Sequence, residues 1–276
     1  GATHHEYRNL DLDKTVAAYR FDENTSLVNF HTFTGEEEAR GELRFSPVFT
    51  GKLEGHMLPL SLAKAYMPEI PEVLKNIYFA RPPLLTANIS SAGYTVTAQT
   101  SEPVRFYALD FDGLNATVSS SQGTVRIDPV EFGFAGGRGG MKTQVDMHGV
   151  GYGSIWVRDA NLGQWSLLGP LSEMFKFTTL KFNSLDGTFT LDPDKVTVDS
   201  LNLWGNEHAA QSRGVINTHD KTLDFTVHLK TLGGARPVLG LLAPIVQPFT
   251  SLMEARVSGP LEKPVWKIQL GSPFGL

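Results

Sequence analysis

Thr222-Leu223-Asp224-Phe225-Thr226-Val227-His228-Leu229 alternates polar and apolar side chains for eight residues. A side-chain period of two puts Leu223, Phe225 and Val227 on one face of a strand and the polar residues on the other. Shorter stretches with the same period recur along the chain. The spacing predicts strands over Thr15–Phe21, Ser26–Phe33, Arg40–Phe45, Leu85–Ile89, Tyr94–Ala98, Val104–Leu109, Phe182–Leu191, Val196–Trp204 and Gln211–Thr218, divided by Gly, Pro, Asn and Asp turns. In Val130-Glu131-Phe132-Gly133-Phe134 the even positions share a face, so Val130, Phe132 and Phe134 point together while Glu131 points away. A chain of this kind must find cover for many one-sided strands, and that need constrains the fold more than any other feature.

Covering material is scarce. Three segments carry apolar residues at helical spacing, near 58–79, 164–176 and 237–253. In the first and last of these, prolines (Pro68, Pro71, Pro244, Pro248) delete amide donors and clash with the preceding turn, which predicts bent or broken helices. Apolar helices of this sort more often cap the ends of a β core than contact ligand. The predicted class is therefore mainly β with a minor α contribution. Its strands form a long, curved antiparallel sheet that either folds on itself as an open barrel or leaves an apolar groove. A large open apolar face marks a binding surface.

Composition narrows the function classes. Hydrophobic residues make up 41% and charged residues 19% of 276, with 27 Gly and 16 Pro, which suits a strand-and-turn protein. A net charge of −5 and the absence of any Lys/Arg run give no field for phosphates, so nucleic acid is excluded as a partner. No cysteine is present to form a disulfide or a thiolate metal site. The remaining candidates for chemistry read as turns. Asp146-x-His148 and His219-Asp220 lack a nucleophile elbow beside them. Asp110-x-Asp112 and Asp192-Pro-Asp194 lack the ligand ladder of a calcium loop. Gly133–Gly140 lacks the Gly-Lys-Ser/Thr ending of a phosphate loop and predicts a tight turn at Gly136-Gly137. No catalytic residue, metal site or cofactor is expected.

The C-terminal order is the long strand, Gly233-Gly234, the proline-broken apolar segment, then Val257-Ser258-Gly259-Pro260-Leu261-Glu262-Lys263-Pro264-Val265-Trp266. Together with Gly214-Val215-Ile216-Asn217 upstream, it resembles the C-terminal region of the AsmA-like family of bacterial envelope proteins, relatives of bridge-like lipid-transfer proteins. The resemblance covers roughly residues 105–276 and divides the chain into an N-terminal β-rich unit, 1–104, and an AsmA-like unit, 105–276.

The resemblance implies a non-enzymatic, periplasmic protein that binds or conducts lipid between membranes, or supports outer-membrane biogenesis. It further implies an anchor in the inner membrane, supplied by a segment upstream of residue 1. The groove would hold phospholipid acyl chains, with Val130, Phe132, Phe134, Leu223, Phe225 and Val227 as the candidate lipid-binding residues. The alternative is an envelope assembly or scaffold module that binds another envelope protein through its β surface.

Overall fold

The structure, a computed structural model, describes residues 5–7, 10–12, 14–21, 26–66, 72–106, 109–162, 182–206, 208–231, 253–261 and 263–269. The fold is mainly β and antiparallel, with very little helix. Contacts divide the chain into two compact units, Gly1–Gly133 and Phe134–Leu276.

Unit 1 begins with a short hairpin, β1 (His5–Tyr7) and β2 (Leu10–Leu12). Its main sheet follows with β3 (Lys14–Phe21), β4 (Ser26–Thr34), β5 (Glu37–Ser46) and β6 (Thr50–His56), each paired with the next. Helix α1 (Pro59–Tyr66), the single helical turn α2 (Glu72–Lys75) and β7 (Ile77–Phe79) come next. The sheet resumes with β8 (Leu84–Ser90), paired directly with β6, then β9 (Gly93–Phe106), β10 (Leu109–Ser121) and β11 (Thr124–Phe134).

Unit 2 is a meander of β12 (Gly137–Asp146), β13 (Gly151–Arg158), β14 (Ser184–Asp192), β15 (Lys195–Trp204), β16 (His208–Asn217), β17 (Thr222–Thr231), β18 (Met253–Pro260) and β19 (Val265–Gln269). Every strand in it pairs with its sequence neighbour.

Of the segment predicted as one broken helix over 58–79, Pro59–Tyr66 and Glu72–Lys75 are helical, Pro68 and Pro71 lie outside the described residues, and Ile77–Phe79 pairs with β9 as a strand instead. The helices predicted near 164–176 and 237–253 lie outside the described residues. Tyr94–Ala98 and Val104–Leu109 are not separate strands. Residues 93–106 form one strand, and Leu109 opens the next, because backbone pairing continues through the polar stretch Gln99–Pro103 with a register shift rather than a break.

Helix α1 is held to its sheet by Glu37 of β5, whose carboxylate accepts hydrogen bonds from the Leu58 amide at 2.9 Å and the Ser61 hydroxyl at 2.8 Å. Two donors at a helix start thus find a charged acceptor on a neighbouring element. Leu62 of α1 packs on a buried cluster of Ala39, Leu53, Met57, Leu85 and Ala87.

Candidate functional site

Antiparallel register turns the alternation of single strands into continuous rows on one face of each sheet. In unit 1 the row nearest α1 runs through Ala39, Leu85, Ala98, Ala116 and Val130. The next holds Phe30, Leu53, Ala87, Val96, Val118 and Ile127, and a third, nearest the hairpin turns, holds Val28, Leu43, Ile89 and Val125. The opposite face is mixed, with Val16, Leu27, Phe33 and Leu84 among ion pairs such as Arg40–Glu54 at 3.3 Å and Arg105–Asp110 at 2.7 Å.

Unit 2 repeats the arrangement. Val157, Leu185, Leu203, Ala210 and Leu229 form one row, and Phe189, Val198, Phe225 and Val257 another. Leu191, Val196, Ile216 and Leu223 lie closest to the turns. The other face carries Asp224 and Arg256 in a two-point ion pair at 2.9 and 2.6 Å.

Two bulges keep these rows continuous. At Asp128-Pro129 one extra residue enters β11, so Val125 and Ile127 share the apolar face with Val130 and Phe132 despite opposite parity. Proline at a bulge forfeits no ladder hydrogen bond, which is why the sheet tolerates it there. An extra residue at Asp199-Ser200 does the same in β15, bringing Val196 and Val198 into line with Leu201 and Leu203.

Burial varies along both faces. In unit 1 Leu85, Ala39 and Val104 are buried at the α1 end, whereas Val28, Leu43, Ile89 and Val125 near the turns are half-buried. In unit 2 Val157, Leu185 and Leu203 are buried together with Ala160, Leu162 and Phe182 of the adjoining loops. Val198, Phe189, Leu191, Val196 and Ile216 toward the turns are half-buried. The opening is partial: Leu223 and Val257 are buried although they lie toward the turns of unit 2, and Leu114 and Phe132, beyond Val130 on the side away from the turns of unit 1, are half-buried.

The six residues singled out from sequence all lie on these faces. Val130 is buried opposite Ala116, and Phe132 is half-buried opposite Leu114, its ring edge-on to Phe111 at 4.9 Å between centroids. Phe134 ends the strand and is buried. On β17, Leu223 and Val227 are buried and Phe225 is half-buried between Gly214 and Val257. The Phe225 ring lies against Gly214 so closely that a Cβ there would sit 2.6 Å from its Cγ. Val130 and Phe132 belong to unit 1 and the β17 residues to unit 2, so the two sets form two sites.

Sequence reading missed the half-buried residues of β15 and β16, notably Val198 and Ile216. Their signal was present as alternation but was not carried across register.

Polar chemistry is sparse on these faces. Among the described residues, Ser212 Oγ and Trp266 Nε1 are buried atoms without a hydrogen-bond partner, and no group of three or more potential metal ligands occurs. Asp146 accepts hydrogen bonds from the amides of His148 at 2.8 Å and Val150 at 3.0 Å, and the Val150 bond chiefly holds its carboxyl below the usual range. Asn217 Oδ1 likewise accepts from the amides of His219 and Asp220, so both histidine-acid pairs build turns. At Gly133–Gly140 the chain turns tightly at Ala135-Gly136 and continues as β12.

Comparison with protein-family models, curated proteins and solved structures finds no significant match. The resemblance to AsmA-like proteins rests on the residues quoted for it.

Proposed function

We propose that this chain is a non-enzymatic lipid-handling protein of the bacterial envelope, of the kind its AsmA-like resemblance implies. In this reading it is periplasmic and tethered through a segment upstream of residue 1. The apolar faces take up phospholipid acyl chains and hold or pass them between membranes.

The observation that carries this reading is the set of apolar rows on each face, in which Val28, Leu43, Ile89 and Val125 of unit 1 and Phe189, Val198, Leu191, Val196 and Ile216 of unit 2 are half-buried, with few polar side chains among them. From Leu229 to Leu223 the rows extend about 20 Å along β17, comparable with the roughly 15 Å thickness of one leaflet's hydrocarbon. Each methylene moved from water onto such a surface contributes about 0.8 kcal/mol. Binding then needs an uninterrupted track rather than particular reactive groups.

The test is titration of the detergent-free protein with a phospholipid carrying a fluorescent acyl chain. Saturable binding is expected, weakened by Phe225→Asp and by Val198→Asp, which place a carboxylate on the half-open part of the track. Absence of binding in the unaltered protein, or equal binding by both variants, overturns the reading.

A further inference from the structure

Large apolar side chains exposed by unit 1 gather at one end of its sheet. Tyr19 (68% exposed) and Phe21 (69%) close β3, Phe45 (52%), Val48 (54%) and Phe49 flank the β5–β6 turn, and Tyr94 opens β9. Register brings these positions together: Phe21 faces Ser26, Ser26 faces Ser46, Arg44 faces Thr50, Thr50 faces Ser90, and Ser90 faces Gly93. Among the described residues of the unit, Val16 and Tyr78 are the exceptions. The rings also contact one another, Tyr19 stacking with Phe21 at 6.3 Å and Phe45 meeting Phe49 at 5.7 Å between centroids. Isolated exposed hydrophobic residues are ordinary, but a group of six at one end of a sheet marks a contact surface.

The chemistry of the group selects its occupant. Neighbouring charges are mixed: Arg20 and Arg44 are present, yet Glu42 lies 3.8 Å from Arg44. A strongly charged partner finds no complement there. Phenylalanine and tyrosine at hairpin tips instead match the headgroup zone of a bilayer, which takes an apolar ring together with a hydrated hydroxyl. The apolar inner face is half-buried at this same end, at Val28, Leu43, Ile89 and Val125, so a bilayer seated on the turns would meet it.

We infer that the turn end of unit 1 docks on the surface of a zwitterionic lipid bilayer, with Phe45, Val48 and Phe49 inserted and Tyr19, Phe21 and Tyr94 around them. Docking extends the lipid-handling reading in that last respect only, because the exposed rings would bind a bilayer whether or not lipid enters the sheet face.

The test is flotation of the full chain with phosphatidylcholine vesicles, in low and high salt, alongside the doubly substituted Phe45→Ser/Phe49→Ser protein. The unaltered chain should float in both salts, and the double variant should lose roughly tenfold in vesicle affinity while keeping its melting temperature. Val48→Trp adds an independent readout: its indole emission should shift to the blue with vesicles and be quenched by lipids brominated in the upper acyl chain. Failure of the unaltered chain to float, flotation abolished by salt, equal flotation of the double variant, or no Val48→Trp response would each overturn the inference. So would concentration-dependent self-association that the double variant abolishes, which would assign the surface to a second copy of the chain. Binding of the fluorescent phospholipid is scored separately. Flotation without it rejects lipid carriage and keeps docking, whereas uptake without flotation does the reverse.

Discussion

Replacing Phe132 with aspartate separates an open apolar face from a closed core. Phe132 is half-buried, with its ring edge-on to Phe111 at 4.9 Å. Losing half of a phenylalanine's burial costs about 1 kcal/mol, and losing the ring contact costs about 1 kcal/mol more. At a half-open position the new carboxylate keeps its water, so the total should stay near 2–3 kcal/mol, within a domain stability of about 5–15 kcal/mol.

Leu85→Asp is the matched control, since Leu85 is 0% exposed in the core beneath α1. Removing that side chain alone costs about 2–5 kcal/mol, and an unpaired buried carboxylate adds several kcal/mol more. Urea denaturation followed by circular dichroism reads both variants. Phe132→Asp should unfold cooperatively at a lower midpoint with an unchanged slope, and Leu85→Asp should be unfolded or molten without denaturant. If Phe132→Asp is as damaging as Leu85→Asp, Phe132, which lies beyond Val130 on the side away from the turns, belongs to a closed core and the face of unit 1 is not open there.

Other consequences follow from particular side chains. Ser212 Oγ is buried without a partner, so Ser212→Ala should raise stability by about 1 kcal/mol, and a loss of that size would show an unseen partner. Gly136 has φ +79 with open space around it, whereas a Cβ on Gly137 would lie 2.3 Å from the Arg158 carbonyl oxygen. Gly136→Ala should therefore cost about 1 kcal/mol and Gly137→Ala distinctly more, and the reverse order in thermal melts would contradict this turn geometry. The hydrogen bond from Arg256 lowers the Asp224 carboxyl below its ordinary value, so this pair's stabilisation is present above about pH 4 and fades as pH falls through the lowered value. Both partners are exposed, so Asp224→Asn should cost less than about 1 kcal/mol near neutrality. The difference in melting temperature should vanish in acid, and one that grew as pH fell would reverse the assignment.

Strands with large side chains on the inner face were legible in the sequence, β17 most plainly, because each apolar position carries its own signal. β6 was not. Its inner positions are Gly51, Leu53 and Gly55, and two of the three carry no side chain to register as apolar. The first part of β12 was hidden in the same way by Gly137, Gly139 and Gly140. Bulges were a second obstacle: at Asp128-Pro129 and Asp199-Ser200 the parity of the apolar positions changes within one strand, which a fixed period of two reads as a break. The site was half legible for a related reason. Val130, Phe132, Leu223, Phe225 and Val227 share faces within their own strands, but which positions are buried and which half-open depends on register between strands and on where α1 and the loop residues Leu162 and Phe182 close the core.

The account stands most directly on whether the apolar faces hold lipid. The measurement is native mass spectrometry of the chain purified without detergent from a bacterial host, with lipid extracted from the same sample. A population heavier than the bare chain by the mass of phospholipid, matched by phospholipid in the extract and depleted in Phe225→Asp, is the predicted result. A single bare-chain mass with no extractable lipid, from folded protein that also binds no fluorescent phospholipid, would contradict it.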